Sequence, residues 1–254
     1  MKIHLVPSVL GASENRQPLM SCVVNDCVAI DAGCLTCLAP LERQRQIEHV
    51  FLSHSHADHI ASLPIFLDNV YQPTAACPTI YASPVVWDCL RRDVFNDRVW
   101  PDLVRLSKEE TPFLRPVFLE NGKTVTIGSL RITPYALKHV VATMGFLIED
   151  DRVAVATVWD TLPTDGIWEQ IRDNPRLRAV FLEASFPSSF DWLARKAGHL
   201  TPELLSREWR KLRRDIALIV VHIKPAFYDA VVAEMSALNL PQLEIGQSGK
   251  TYEF

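Results

Sequence analysis

The sequence predicts an α/β fold in which sheets pack as a sandwich and carry a metal site at the ends of their strands. Continuous apolar runs at 153–159 and 216–221 are typical of strands covered on both faces. The segment 130–137 alternates in part, as a half-buried strand does. Each run is followed within two residues by a candidate metal ligand, in the order His139, Asp160 and His222.

A fourth apolar run, 50–52, leads into the densest group of candidate ligands. The group reads His54, Ser55, His56, Ala57, Asp58 and His59. A strand-to-helix turn can direct alternate side chains toward two adjacent ions, with the first two histidines on one ion and Asp58 and His59 on the other. Neutral imidazole and carboxylate suit Zn²⁺ best, and Mn²⁺ or Fe²⁺ are alternatives.

The competing interpretation is a set of surface polar residues or of core histidines satisfied by the backbone. That interpretation fits the isolated His4 and His49. It does not fit four ionisable side chains within six residues beside apolar flanks, because burying them without compensation would be costly. We therefore favour a two-metal site.

Composition limits the classes of protein that remain. With 254 residues and 48% hydrophobic content, the chain can bury a large core as one domain spanning 1–254. The net charge of -4, without a charge block, gives no electrostatic footprint for nucleic acid, so we expect no stable nucleic-acid partner. We also expect no membrane span. We expect a cytoplasmic location because residues 1–6 read as a strand rather than as a signal peptide.

Two other features receive structural interpretations. Cys34 and Cys37 form a C-x-x-C pair, but the other four cysteines complete no second pair, so we expect free thiols in a reducing compartment. Residues 85–106 combine Trp87, Trp100 and arginines with partial helical spacing, which favours an amphipathic helix covering the sandwich. A basic and aromatic binding surface is the alternative for that segment, and its 96–98 loop is a candidate to overhang the active site.

The order of these motifs resembles the metallo-β-lactamase superfamily, and the segment 28–33 resembles that superfamily's first motif. The resemblance implies a four-layer αββα sandwich of two mixed β-sheets flanked by helices. It makes Asp31 a supporting carboxylate rather than a ligand. It assigns one ion to His54, His56 and His139, the other to Asp58, His59 and His222, and a bridging role to Asp160.

A second cluster resembles the phosphodiesterase branch of this superfamily. Glu183 ends an apolar run, and His199 stands in the segment 198–202, Gly-His-Leu-Thr-Pro. In that branch the carboxylate orients the histidine, which protonates the departing alkoxide. The alternative is that His199 packs or caps a helix start and that Glu183 supports a metal ligand.

Within the branch, the segments 187–190, 198–202 and 222–225 resemble class II 3′,5′-cyclic-nucleotide phosphodiesterases. The resemblance implies hydrolysis of a cyclic nucleotide, with cyclic AMP giving 5′-AMP, by hydroxide bound to two metals. Asp58 would accept a hydrogen bond from the nucleophile, and Lys224 would contact the phosphate together with His199; a solvated lysine at the strand end is the alternative for Lys224. The family usually has Leu at Ala57 and Gly at Ser62, which leaves the substrate less certain than the reaction type. A monomer and a homodimer both stay open.

Other superfamily members are the main alternatives. A transfer-RNA 3′-processing nuclease needs a long basic arm between the positions matching His139 and Asp160, where this sequence predicts a short hairpin. A lactonase or β-lactamase has no use for the pair of Glu183 and His199. A di-iron redox module would carry Glu in place of His56, usually with a flavin domain.

Overall fold

The computed structural model describes residues 1–8, 16–109 and 111–254, which divide into two compact units. Among them, the first unit contains 1–8, 19–120 and 248–253. The second unit contains 16–18, 121–247 and 254. The single domain expected over 1–254 stays a prediction.

The first unit is built on a mixed sheet, which has seven strands within the described residues. In chain order they are β1 (Lys2–Leu5), β2 (Cys22–Val24), β3 (Val28–Ile30), β4 (His49–Phe51), β5 (Thr79–Ala82), β6 (Arg115–Phe118) and β14 (Thr251–Glu253). Their order in the sheet is β14-β1-β2-β3-β4-β5-β6. The pairs from β14 to β3 are antiparallel, and those from β3 to β6 are parallel.

Helices cover one face of this sheet. They are α1 (Leu41–Arg45), α2 (Ala57–Ile60), α3 (Leu63–Val70), α4 (Pro84–Cys89) and α5 (Leu103–Leu106). Phe66 on α3 and Trp87 on α4 lie in the same buried core as Val50 and Ile80 of the sheet. Because side chains alternate along a strand, Phe51 points to the other face, which is also buried. The predicted strand at 50–52 with buried faces is therefore present.

The amphipathic helix expected in the segment 85–106 does not span that segment. Helix α4 ends at Cys89 and a π-helical turn follows over Leu90–Val94. Asp97 then adopts a left-handed conformation, and the side chain of Asn96 accepts the backbone N–H groups of residues 98 and 99. These local hydrogen bonds compete with helix formation. The segment still covers the core as expected, because Trp87 is buried in it and Trp100 packs against it.

The second unit contains another mixed sheet, which likewise has seven strands in the part of the chain that the structure describes. They are β7 (Val125–Ile127), β8 (Leu130–Leu137), β9 (Thr143–Glu149), β10 (Ala154–Val158), β11 (Leu177–Glu183), β12 (Ala217–Val221) and β13 (Leu243–Ile245). The sequential order β7 to β13 is also the order in the sheet. Strands β7 to β10 pair antiparallel, and β10 to β13 pair parallel. The short hairpin predicted between His139 and Asp160 is the β9–β10 pair.

The helices described in the second unit are α6 (Gly166–Ile171), α7 (Asp191–Ala197), α8 (Pro202–Leu212) and α9 (Tyr228–Ala237). Side chains of α6, α8 and α9 join the apolar core of this sheet. Leu205 and Trp209 on α8 share a core with Val180 and Leu218 of the sheet. Helix α8 begins at Pro202, where the Thr201 side chain accepts the backbone N–H of residue 204 as an N-cap.

The cysteines are free thiols, and Cys22 and Cys34 are buried. Burial raises the pKa of Cys34 to about 12, which keeps this sulfur protonated and unreactive. Among residues 1–8, 16–109 and 111–254, no helix combines the length and the apolar character that crossing a bilayer requires.

The core beneath α8 is the first testable feature. Leu205→Ala removes a side chain that is 0% exposed, so the free energy of unfolding should fall by about 2–5 kcal/mol. Arg210→Ala, on the exposed face of the same helix, should change it by less than about 0.5 kcal/mol. Urea unfolding followed by circular dichroism measures both. Equal effects of the two variants would contradict this packing of α8.

Candidate active site

Three neighbouring parallel strands of the second unit end beside one another. The registers of β10, β11 and β12 align Val158 with Leu182 and Leu182 with Val220. The next residues along each strand include Asp160, Glu183 and His222. Because the carboxyl ends of parallel strands meet at one edge, these polar side chains gather there.

Asp160 and His222 leave their strands in the left-handed backbone region, with φ of 58° and 57°. Asp31, which follows β3 in the first unit, has φ of 60°. Residues other than glycine adopt this region uncommonly, and strained backbone of this kind clusters at functional sites. The conformation turns each chain sharply as it leaves the sheet.

Asp160 is at the centre of the second unit's cluster. Its carboxylate oxygens lie 3.5 Å from Nε2 of His222, 3.7 Å from Nδ1 of His199 and 3.9 Å from Nε2 of His139. One ligand atom from each of Asp160, His199 and His222 lies within 4.8 Å of the others, close enough for a metal ion. All of these side chains are buried.

Glu183 is fully buried and receives several hydrogen bonds. The backbone N–H groups of Thr161 and Leu200 donate to its oxygens at 2.7 and 3.3 Å, and the Ser185 hydroxyl donates at 2.7 Å. Nδ1 of His199 lies 3.0 and 3.1 Å from the two oxygens. These donors hold the carboxylate in place, so the carboxylate can orient the His199 ring.

Ser185 also fixes the tautomer of a candidate ligand. Its hydroxyl oxygen lies 2.7 Å from Glu183 and 2.7 Å from the carbonyl oxygen of His222. Its single proton is therefore directed at these two acceptors and not at a third. Nδ1 of His222, 3.0 Å away, must then be the donor to the hydroxyl oxygen. Nε2 of His222 is left with its lone pair, as metal binding requires.

The pair of His199 and Glu183 favours a charged state. Burial lowers the pKa of His199, but the Glu183 carboxylate, its hydrogen bond and the charge of Asp160 together raise it above its ordinary value. Burial raises the pKa of Glu183, but the charge and hydrogen bond of His199 bring it below its ordinary value. Both shifts act in the direction of a protonated imidazole beside an ionised carboxylate.

His139 is positioned from the end of β8. Its Nδ1 donates to the carbonyl oxygen of Gly198 at 2.8 Å, so its Nε2 carries the lone pair. Burial lowers the pKa of His139, which also favours the neutral form that binds metals. A side chain at Gly198 would place its Cβ 2.5 Å from this Nδ1, and Gly198 has φ of 83°. Glycine is required there by both the backbone and the ring.

The first unit organises its cluster around a buried carboxylate as well. Asp31 is 0% exposed and follows β3, beside the loop that leaves β4. Its carboxylate accepts the backbone N–H of Ser53 at 2.7 Å and the Ser53 hydroxyl at 2.8 Å. Nδ1 of His59 donates to it at 2.7 Å. Asp31 therefore holds the start of the loop after β4 and orients the His59 ring, and its supporting role toward a metal stays a prediction.

His54 is oriented through the same serine. The Ser53 proton goes to Asp31, so Nδ1 of His54, 2.9 Å from the Ser53 oxygen, is the donor in that contact. Nε2 of both His54 and His59 then carries a lone pair. The ring centroids of His56 and His59 lie 4.6 and 4.2 Å from that of His54.

The predicted site residues thus fall into two clusters, one in each unit. The first cluster contains His54, His56, Asp58 and His59. His56 and Asp58 are half-buried and lie where α2 begins. The second contains His139, Asp160, Glu183, His199 and His222. Lys224 is half-buried, and its backbone N–H donates to the carbonyl of Ser185 at 3.2 Å.

Sequence reasoning missed two positioning residues, Ser53 and Ser185. Ser185 lies two residues after Glu183, which is the spacing that places side chains on the same face of an extended chain. Ser53 directly precedes His54. The available sequence signal was closeness to one predicted site residue, Glu183 for Ser185 and His54 for Ser53, while the other partners are distant in sequence.

Substitution of Gly33 tests how closely the backbone of the first cluster packs. A Cβ there would lie 2.0 Å from the Asp58 carbonyl oxygen and 2.7 Å from that of Met20, and backbone atoms cannot easily move away. Gly33→Ala should lower the free energy of unfolding by at least about 1–3 kcal/mol. Gly166→Ala is the matched control, because nothing lies within 4 Å of its Cβ position. Thermal unfolding that is unchanged by Gly33→Ala would contradict the geometry.

Comparison with known proteins identifies relatives of this chain. The family profile described as "Beta-lactamase superfamily domain" matches residues 26–223. A probable 3′,5′-cyclic-nucleotide phosphodiesterase of Yersinia pestis is 29% identical over 243 residues, which cover 82% of this chain and 67% of that protein. The 3′,5′-cyclic-nucleotide phosphodiesterase 1 of Saccharomyces cerevisiae is 24% identical over 212 residues, which cover 70% of this chain and 56% of that protein.

The fold is shared with solved structures. The crystal structure of unliganded yeast PDE1 superposes with a TM-score of 0.78 at 19% identity, covering 98% of both chains. Structural similarity at 19% sequence identity shows that the fold is shared, and no more than that. The predicted α/β class with two mixed sheets flanked by helices is therefore confirmed.

Proposed function

The chain belongs to the beta-lactamase superfamily, and we propose that it is a phosphodiesterase-like metallohydrolase that acts on 3′,5′-cyclic nucleotides. The names of its bacterial and yeast relatives support this substrate class. The proposed reaction opens the bond between phosphorus and the 3′ oxygen, so that cyclic AMP gives 5′-AMP. The chain spans 67% and 56% of those two relatives, so the activity of the whole protein is part of the proposal.

The donor set fits divalent metal ions. The candidate ligands are imidazoles and carboxylates, and the histidines whose Nδ1 atoms donate to protein oxygens keep Nε2 for a metal. We propose two ions, most consistent with Zn²⁺, with Mn²⁺ or Fe²⁺ as alternatives. His54, His56 and His139 would hold one, Asp58, His59 and His222 the other, and Asp160 would be shared. Such ions would activate water and offset charge on the phosphoryl oxygens.

The contact between Glu183 and His199 is the observation that carries the phosphodiesterase proposal. Because Nδ1 of His199 faces Glu183, its other ring nitrogen is the one from which a proton can be given away. The raised pKa of His199 favours the protonated ring before the reaction. An alkoxide leaving group needs such a proton, whereas a hydrolase that releases a stabilised anion does not.

Other residues of the chain would complete the reaction. Asp58 would accept a hydrogen bond from the attacking water and so orient it toward phosphorus. Lys224 would neutralise part of the phosphate charge. We further propose a small-molecule substrate and a cytoplasmic location, and a homodimer stays open beside a monomer.

Activity after controlled metal loading tests the proposed function. The protein with its bound metal should hydrolyse cyclic AMP or cyclic GMP and a generic aryl phosphodiester, lose both activities with a chelator, and regain them with added Zn²⁺ or Mn²⁺. Metal content by mass spectrometry and nucleotide analysis by chromatography provide the readouts. Activity on the aryl diester alone would reject the cyclic-nucleotide substrate, and chelator-resistant activity would reject the metal.

The shared ligand gives a second expectation. Asp160→Asn keeps the size of the side chain but removes the charge that two cations would share, so metal content and activity should fall together. Asp173→Ala, which removes an exposed carboxylate of the same unit, should change neither. Two tightly bound metal ions per chain in the Asp160 variant would reject its bridging role.

A third expectation separates proton donation from metal binding at His199. His199→Ala should keep its metal content and lose about 10²–10⁴-fold in the rate of cyclic AMP hydrolysis. A nitrophenolate leaves without a proton, so the loss on a nitrophenyl phosphodiester should be much smaller.

The control for this variant is His49→Ala, because His49 is half-buried and contacts the Tyr81 hydroxyl at 3.1 Å. It should retain wild-type activity on both substrates. If His199→Ala loses metal, or loses equal activity on both substrates, His199 is a ligand or a structural residue instead of the general acid.

A further inference from the structure

An aromatic surface adjoins His199 in the second unit. It consists of Phe186, Phe190 and Phe227. The Phe186 ring centroid lies 5.7 Å from that of His199 and 5.4 Å from that of Phe227. Phe227 lies 4.9 Å from Phe190, with 49° between the ring planes. The three rings therefore form a continuous series that begins at the proposed general acid.

Exposure increases along this series. Phe186 is 7% exposed, Phe227 is half-buried, and Phe190 is 36% exposed. Phe190 is partly open to water, because its contact with Phe227 covers only part of the ring. The outer end of the aromatic surface is thus accessible, whereas its inner end is fixed beside His199.

Hydrogen bonds hold the backbone that carries these rings. The backbone N–H of Ser188 donates to both carboxylate oxygens of Glu234 on α9, at 3.1 and 3.0 Å. The N–H of Phe190 donates to the carbonyl of Pro187 at 2.9 Å, and that of Phe227 to the carbonyl of Lys224 at 2.9 Å. A preorganised aromatic surface costs less entropy when a planar ligand binds to it.

We infer that the surface of Phe186, Phe190 and Phe227 binds the nucleobase of the substrate by stacking, and that Phe190 provides its accessible ring. This inference rests on the proposed function and adds to it the part of the substrate that the catalytic residues do not contact. The 3′ oxygen that His199 would protonate belongs to the same nucleoside as the base. The base must therefore be bound near His199, where the aromatic rings are.

Stacking explains which property of the substrate would be recognised. Every nucleobase has a π-face, so a phenylalanine surface binds purines and pyrimidines without reading their hydrogen-bonding groups. The surface therefore predicts affinity for nucleosides with broad tolerance of the base.

Substitutions at Phe190 test the inference in the metal-loaded protein. Phe190→Ala should raise KM for cyclic AMP about tenfold with little change in kcat, because stacking contributes equally to substrate and transition state. Phe190→Leu keeps an apolar side chain without a π-face and should behave like Phe190→Ala. Phe190→Tyr should remain close to wild type.

Two controls separate stacking from a general loss of structure. Phe118→Ala removes another exposed phenylalanine, on β6, and should leave KM unchanged. A ribose 3′,5′-cyclic phosphate with a methoxy group in place of the base should show equal KM values with wild type and Phe190→Ala. Equal KM changes on both substrates, or none with cyclic AMP, would overturn the inference.

Failure of the proposed function can be distinguished from failure of this inference. If the wild-type protein does not hydrolyse cyclic nucleotides, calorimetry of 5′-AMP binding to the metal-loaded protein tests the aromatic surface independently of the reaction. Binding that weakens about tenfold in Phe190→Ala, but not in Phe118→Ala, supports the aromatic surface although the reaction is different. The absence of 5′-AMP binding, or equal binding by both variants, overturns it.

Discussion

A buried carboxylate backed by a serine hydroxyl organises each of the two histidine clusters. In the first unit Asp31 accepts from Ser53 and His59, and in the second Glu183 accepts from Ser185 and His199. An uncompensated buried carboxylate is costly, so several donors must converge on it. The convergence fixes which nitrogen of each neighbouring histidine carries the proton. The chemistry open to those histidines depends on that choice.

Asp31 and Glu183 have different effects on the histidines that they contact. Asp31 uses Nδ1 of His59 and leaves Nε2 as a donor atom for a metal. Glu183 lies beside a histidine whose pKa is raised, which suits a ring that gives up a proton during the reaction. The same kind of contact therefore suits a neutral ligand in one cluster and a proton donor in the other.

Much of this arrangement could be predicted from the sequence. The apolar runs before Asp160 and His222 predicted β10 and β12, because strand burial leaves a local signal in the sequence. A loop at 96–98 was named from the sequence, but the π-helical turn at 90–94 before it was not, and the left-handed Asp97 depends on hydrogen bonds formed by the folded loop. Ser53 and Ser185 were missed because their roles depend on partners brought close by the fold. The aromatic contact between Phe186 and Phe227 joins two distant segments and had no local signal.

Hydrolysis of cyclic AMP in water enriched with ¹⁸O tests the proposed reaction most directly. If water attacks phosphorus and His199 assists departure of the 3′ oxygen, mass spectrometry should find 5′-AMP with one ¹⁸O atom on its phosphate. The 3′ hydroxyl should carry none, because its oxygen comes from the substrate. Release of 3′-AMP, or ¹⁸O in the ribose, would contradict this account.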